Sequence, residues 1–260
     1  MECEAGMRSI DVAVIGVCAA LYAVVGRLTD LSITVGGVAF YPAVFIPAVF
    51  AVLFGPWTGG IGGAIGIFIR DMLFHGDALL SLSAGVTSNF VLFFVIGYVY
   101  RSSLGWKKLS VSLIIASIII ASGLLLPTIL LPTQSIIFTQ LSTSNSLILF
   151  VVTILVSLIS IGIVSFFLRE WRNFVVGSVI GQGLGAGIIA FVVWAYSQLF
   201  FSSAGYFKAP VPYEFIPILF VWTFATEIPF ILLLSPPIVK VCYSAFPFLR
   251  VQRKAKESEK

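Results

Sequence analysis

The chain has 260 residues, of which 59% are Ala, Val, Ile, Leu, Met, Phe, Trp, Tyr or Cys and only 10% are charged, with a mean hydropathy of +1.10. Soluble domains carry about 25% charged residues, so an ordinary water-soluble fold is excluded, and the short loops leave no room for a separate soluble catalytic domain. The formal net charge of +4 sits in scattered loops and a C-terminal tail rather than on one folded surface, which argues against a nucleic-acid partner.

The apolar runs are continuous and rich in Leu, Ile, Val and Phe, so they predict membrane-spanning helices of ~20 residues rather than the ~10-residue alternating strands of a barrel. Eight segments follow in chain order: 9–27, 39–55, 57–74, 79–100, 110–131, 145–168, 174–201 and 214–243. Glu2 and Glu4 stand where a cleavable signal would be basic, so the first segment reads as a retained helix. Gly55-Pro56-Trp57 joins the second and third segments in a tight hairpin. Pro127 and Pro132 at the end of the fifth segment, and the glycines of the third, leave a re-entrant course as an alternative for either.

Charge decides between these courses. With a cytoplasmic N-terminus and eight crossings, Arg8, Arg101, Lys107, Lys108, Arg169, Arg172, Lys240, Arg250, Arg253, Lys254, Lys256 and Lys260 fall inside, against Arg27, Arg70 and Lys208 outside. Positive charge is retained on the cytoplasmic side. The expectation is an all-α, multi-pass plasma-membrane protein with both termini cytoplasmic, a single transmembrane domain over 1–249 and a basic tail over 250–260.

Small residues recur at helical spacing, as Gly59/Gly63 and Gly62/Gly66 in the third segment and Gly177, Gly181 and Gly185 in the seventh. Such faces let helix backbones approach closely. Polar residues at span depth are costly and face a cavity or a partner. Glu227, in Thr226-Glu227-Ile228-Pro229, is the clearest, with Pro229 leaving a carbonyl unpaired nearby; it suits a ligand donor, a transported proton or a structural pairing. Asn89 and Gln182 are amides able to bond across helices.

Toward the outer face, Arg27 and Asp30 close the first span, and Arg70, Asp71, His75 and Asp77 cluster at the end of the third. Tyr206, Phe207, Lys208, Tyr213 and Glu214 form a second mixed loop. Aromatics beside charges suit recognition of a flat polar solute or plain interfacial anchoring. Asp71 is the loop acid best placed for a site, having Arg70 beside it. Trp194, Tyr196 and Trp222 are candidates to stack on a heterocycle or to anchor their helices.

Several chemistries are poorly supplied. His75 is the only histidine, which leaves neither a His-based zinc site nor an intramembrane catalytic base well supported. No Gly-x-x-x-x-Gly-Lys-Ser/Thr loop and no His-Glu-x-x-His occurs, so any ATP drive must come from another polypeptide. No catalytic residue, metal or cofactor is assigned. Cys3, Cys18 and Cys242 are an odd number and are expected as free thiols.

The order of features resembles the substrate-binding S components of energy-coupling-factor vitamin transporters. The likeness rests on Ala19-Ala20-Leu21-Tyr22-Ala23, an outer loop ending in Gly36-Gly37, Tyr41-Pro42-Ala43-Val44-Phe45-Ile46-Pro47, Leu53-Phe54-Gly55-Pro56-Trp57-Thr58-Gly59-Gly60, Arg70-Asp71, and a closing Pro217…Glu227-Ile228-Pro229 helix. It implies a subunit that captures a small water-soluble micronutrient from outside and docks on a membrane T component driven by two cytoplasmic ATPases. By position it implicates Asp30, Asn89, Trp222 and Glu227 in substrate binding, with Asp71 beside them, and Ala19 and Ala23 in docking. It also implies a six-helix core, which makes 110–168 an inserted helix pair. Two other readings stand beside it: a stand-alone proton-coupled transporter using Glu227, and an intramembrane enzyme using His75.

Overall fold

The computed structural model describes residues 9–29, 33–102, 110–111, 114–115, 118, 143–167, 169–202 and 206–249. Asp30, Cys3, the basic tail and nearly all of the expected 110–131 span lie outside the described residues. The rest is an all-α membrane bundle with one small hairpin: α1 Ser9–Leu28, β1 Thr34–Val35, β2 Val38–Ala39, α2 Phe45–Leu53, α3 Pro56–Phe74, α4 Ala78–Arg101, α5 Thr143–Phe167, α6 Arg172–Leu199 and α7 Phe215–Ala245. Among the described residues, α1, α4, α5, α6 and α7 are long and apolar enough to cross a membrane.

The glycine stripes are packing seams. The inner face of α1 (Ile15, Cys18, Ala19, Tyr22, Ala23) lies on α3. A methyl group on Gly62 would stand 2.7 Å from Cys18 Sγ, and one on Gly66 would stand 2.8 Å from the Ala19 carbonyl oxygen. Ala19 and Ala23, expected at a partner interface, are therefore 3% and 4% exposed inside this chain. The outward residues along the middle of α1 are Gly16, Val17, Ala20, Leu21 and Val24, continuing the exposed Val12 and Ala13 of its first half. On α6, Gly181 does the same work, a methyl there falling 2.7 Å from the Leu92 carbonyl of α4.

The expected 39–55 span is shorter than predicted. Val38 and Ala39 pair with Val35 and Thr34 across a turn in which Gly36 and Gly37 have φ of 55° and 86°, values that favour glycine. Tyr41 precedes a proline and stays non-helical, at φ −133° and ψ 84°. Helix starts with the 3-10 turn Pro42–Val44 and ends at Leu53. At ~1.5 Å per residue this reaches roughly 20 Å, short of a ~30 Å hydrocarbon core.

Pro56 opens α3 after Gly55, and Arg101 of α4 closes the far end of α2, donating to the Leu53 carbonyl at 3.4 Å. α7 carries Pro229, Pro236 and Pro237 within it and packs against α2, α5 and α6. The main apolar core lies between these helices, with Phe93, Phe174, Ile228 and Leu232 buried. Cys18 and Cys242 are free thiols.

Candidate functional site

Arg70 and Asp71 end α3 with side chains that are 6% and 9% exposed. Arg70 Nη1 lies 3.2 Å from Asp71 Oδ1, and its guanidinium stacks 4.3 Å from the Phe74 ring centroid and 4.9 Å from that of Tyr41. The charge is thus neutralised by a neighbour and covered by two aromatic faces. Asp71 Oδ2 accepts a 2.8 Å hydrogen bond from Ser81 Oγ.

Ser81 belongs to a single π-wound turn, Ser81–Val86, in the first part of α4. Such turns are frequent at functional sites because they redirect backbone groups. Here the turn brings Gly85 so near Asp71 that a methyl group would lie 2.6 Å from Oδ2. The Gly85 carbonyl accepts Asn89 Nδ2 at 2.9 Å, and Asn89 Oδ1 accepts the Tyr22 hydroxyl at 2.7 Å. Tyr41 in turn donates to the Tyr22 carbonyl at 3.0 Å, linking α1, α2 and α4 behind the site.

The α3–α4 corner is ordered by His75 and Asp77. The Asp77 backbone N–H donates to His75 Nδ1 at 3.0 Å, so the proton of the neutral ring is on Nε2, 3.9 Å from Asp71 Oδ2. Burial pushes the His75 pKa below its ordinary 6.5; Asp71 opposes this, Arg70 reinforces it and Asp77 opposes it, leaving the value lowered. Asp77 Oδ1 caps α4 by accepting the Leu80 N–H at 3.0 Å, and Oδ2 accepts the Tyr196 hydroxyl of α6 at 2.6 Å. Burial alone would raise Asp77, but these hydrogen bonds and His75 hold it below the ordinary carboxylate value.

Tyr206, from the α6–α7 loop, covers this corner. Its ring lies 5.1 Å from that of His75, and its hydroxyl donates to the Gly37 carbonyl in the hairpin turn at 2.7 Å. The two polar clusters expected toward the outer face therefore meet at His75 and Tyr206.

Beneath this roof is a cavity of about 80 Å³. Its walls are apolar at Ile67, Leu80, Ala84, Ile189 and Val193; Arg70, Asp71 and His75 line one part and Asn89 and Glu227 another. Glu227 is 8% exposed, and its Oε2 accepts Gln182 Nε2 at 2.7 Å across α6 and α7. The same Gln182 nitrogen donates to the Thr223 carbonyl at 2.9 Å.

Of the residues singled out from sequence, Asp71, Asn89 and Glu227 line this one cavity, and Asp30 lies outside the described residues. Trp222 is fully buried beneath the hairpin, its Nε1 donating to the Val38 carbonyl at 3.0 Å, and it does not line the cavity. Neither do Trp194 and Tyr196, the latter being held by Asp77. Sequence reasoning did not single out Tyr22, Ser81 or Gly85, whose roles depend on contacts from other elements. Gln182 was visible as a buried amide, but its partner was not.

A family model described as ECF-type riboflavin transporter, S component, matches residues 7–171, more than half of the chain. That segment carries Arg70, Asp71, His75 and Asn89 but ends before Gln182, Tyr206 and Glu227. Searches of curated proteins and of solved structures give no match. The chain belongs to the ECF-type riboflavin transporter S component family: it is a multi-pass plasma-membrane, substrate-binding subunit of an energy-coupling-factor transporter, not an enzyme.

Proposed function

We propose that the chain captures riboflavin from the outer side of the membrane and delivers it through a complex with a T component and two ATPases. The observation that carries this is the cavity: apolar walls between two polar ends, in a chain of a family whose description names riboflavin. A flavin has matching parts, a flat tricyclic ring and a polyol tail. The ring would lie between Ile67 and Ile189, with the tail toward Arg70, Asp71 and His75. Ligand sites usually occupy ~300–1,000 Å³, so a flavin enters only when the Gly36–Gly37 turn and Tyr206 withdraw.

The cavity lies at the end of the bundle where α1, α3 and α6 finish and α4 and α7 begin. Under the positive-inside count that end faces outward. The opposite end holds Arg101, Arg172 and the Lys240–Glu170 ion pair, with N···O of 2.6 Å. Docking through α1 would use its outward small residues Gly16 and Ala20, since Ala19 and Ala23 are spent against α3.

The test is riboflavin uptake by cells or liposomes holding this chain, with and without the T component and ATPases. Uptake that requires the partners and ATP supports the proposal. Uptake by the chain alone under a proton gradient, abolished by Glu227→Gln, would replace it with proton-coupled transport.

A further inference from the structure

The inner end of the cavity has a spare carboxylate acceptor on Glu227 and one loosely held donor on Asn89. Gln182, 1% exposed, gives its Nε2 to Glu227 and to the Thr223 carbonyl, while its Oε1 has no hydrogen-bond partner. Asn89 Nδ2 donates to the Gly85 carbonyl at 2.9 Å, while its second N–H has only Ser88 Oγ, at 3.5 Å, and so is loosely held; the Ser88 hydroxyl donates to the same carbonyl at 3.0 Å. Among the described residues no cation lies within ion-pair distance of Glu227. Behind Glu227 a recess of about 10 Å³, lined in part by Gln182 and Thr223, has room for one water and nothing larger.

A carboxylate that lines the cavity, steadied from behind by an amide whose own donors are spent, fits a ligand that brings a donor. Resting on the flavin reading above, we propose that Glu227 is the specificity-determining acceptor for the single ring N–H of the flavin, the imide between its two carbonyls. Gln182 is a positioning residue: it holds Oε2 from behind, so that the carboxylate faces the cavity. The flavin ring therefore enters with its pyrimidinedione edge innermost and its tail toward Arg70 and Asp71. Flavins whose ring N–H is capped leave Glu227 buried and unmatched, and sites built around such a hydrogen bond reject analogues that lack it.

The test compares riboflavin with its N3-methyl derivative on the folded full-length protein. The expected result is a preference for riboflavin of about 100-fold or more. Glu227→Gln, of the same size, should lower riboflavin affinity about tenfold, and Gln182→Leu should weaken the preference between the two flavins. Equal affinity for the two flavins in the unmodified protein would overturn this inference and leave the riboflavin reading standing. An unchanged riboflavin affinity in Glu227→Leu, which has no acceptor, would overturn it too, by showing that the methyl group is excluded by size alone. Failure of the folded protein to bind either flavin would overturn the riboflavin reading and this inference with it. The comparison of the two flavins needs no variant, so it decides the matter even if a substitution fails to fold.

Discussion

The Ser157 hydroxyl of α5 lies 2.6 Å from the Ala225 carbonyl of α7 and shares its one proton between that oxygen and the Thr153 carbonyl of its own helix, 2.7 Å away. That carbonyl would ordinarily accept the N–H four residues on, but Pro229 stands there and has none. The hydroxyl therefore replaces a missing helical bond two residues from Glu227 and ties α5 to the centre of the bundle. Ser157→Ala should lower stability by about 1 kcal/mol, the scale of such bonds between membrane helices. Pro229→Ala restores the N–H, so the same change should cost less in that background. A double-mutant cycle read by thermal melting checks the coupling.

The glycine seams predict a contrast. Gly66→Ala places a methyl group 2.8 Å from the backbone oxygen of Ala19, which cannot yield without moving α1, whereas a methyl on Gly183 meets nothing within 4 Å. The first should destabilise by about 1–3 kcal/mol. The second should be neutral or slightly stabilising, since alanine is the better helix former. Melting of both variants under one set of conditions decides it.

Asp71 pairs with Arg70 with both side chains nearly buried. Asp71→Asn removes a charge facing Arg70 and a charge-assisted acceptor for Ser81, at a cost of about 1.5–3 kcal/mol. Asp71→Asn should therefore lower the melting temperature and weaken riboflavin binding, while Asp77→Asn loses mainly hydrogen bonds at the α4 N-terminus and should cost less. Gly85→Ala presses on the Asp71 carboxylate from the π turn and should weaken binding in the same direction.

The lowered pKa of His75 sets a pH dependence. The unfolded chain takes up the proton near 6.5, whereas the folded protein resists it to lower pH. The stability from burying the neutral ring is fully present above 6.5 and is lost as pH falls from there through the folded-state value. Asp77, held below its ordinary 3.8, keeps its contribution over that range and loses it only at lower pH. Melting temperature should decline from pH 7 to pH 5, with a shallower decline in His75→Gln. An identical slope in the two proteins would contradict the assignment.

The long spans and the packing glycines were legible because hydropathy and four-residue spacing are local properties. The second segment was misjudged in length: its apolar run is continuous through 39–55, but the Gly36–Gly37 turn takes Val38 and Ala39 into a hairpin. Asn89 and Glu227 stood out as polar residues at depth and Asp71 as a loop acid beside Arg70; the bundle brings all three to one cavity, with Asp71 inside α3 rather than in a loop. Trp222 stood out by its position under the resemblance and as a ring able to stack on a heterocycle, yet its indole N–H is held by a backbone carbonyl 184 residues away, a pairing no local pattern displays. Tyr22 and Ala19 lie in one apolar run, and only the packing of α3 reveals that both face inward.

The most direct test of the central claim is titration of riboflavin into the purified, folded full-length protein, followed by flavin fluorescence. The account predicts saturable one-to-one quenching, weakened in Asp71→Asn and Glu227→Gln. Absence of saturable binding by protein whose helicity and melting transition are intact would contradict it.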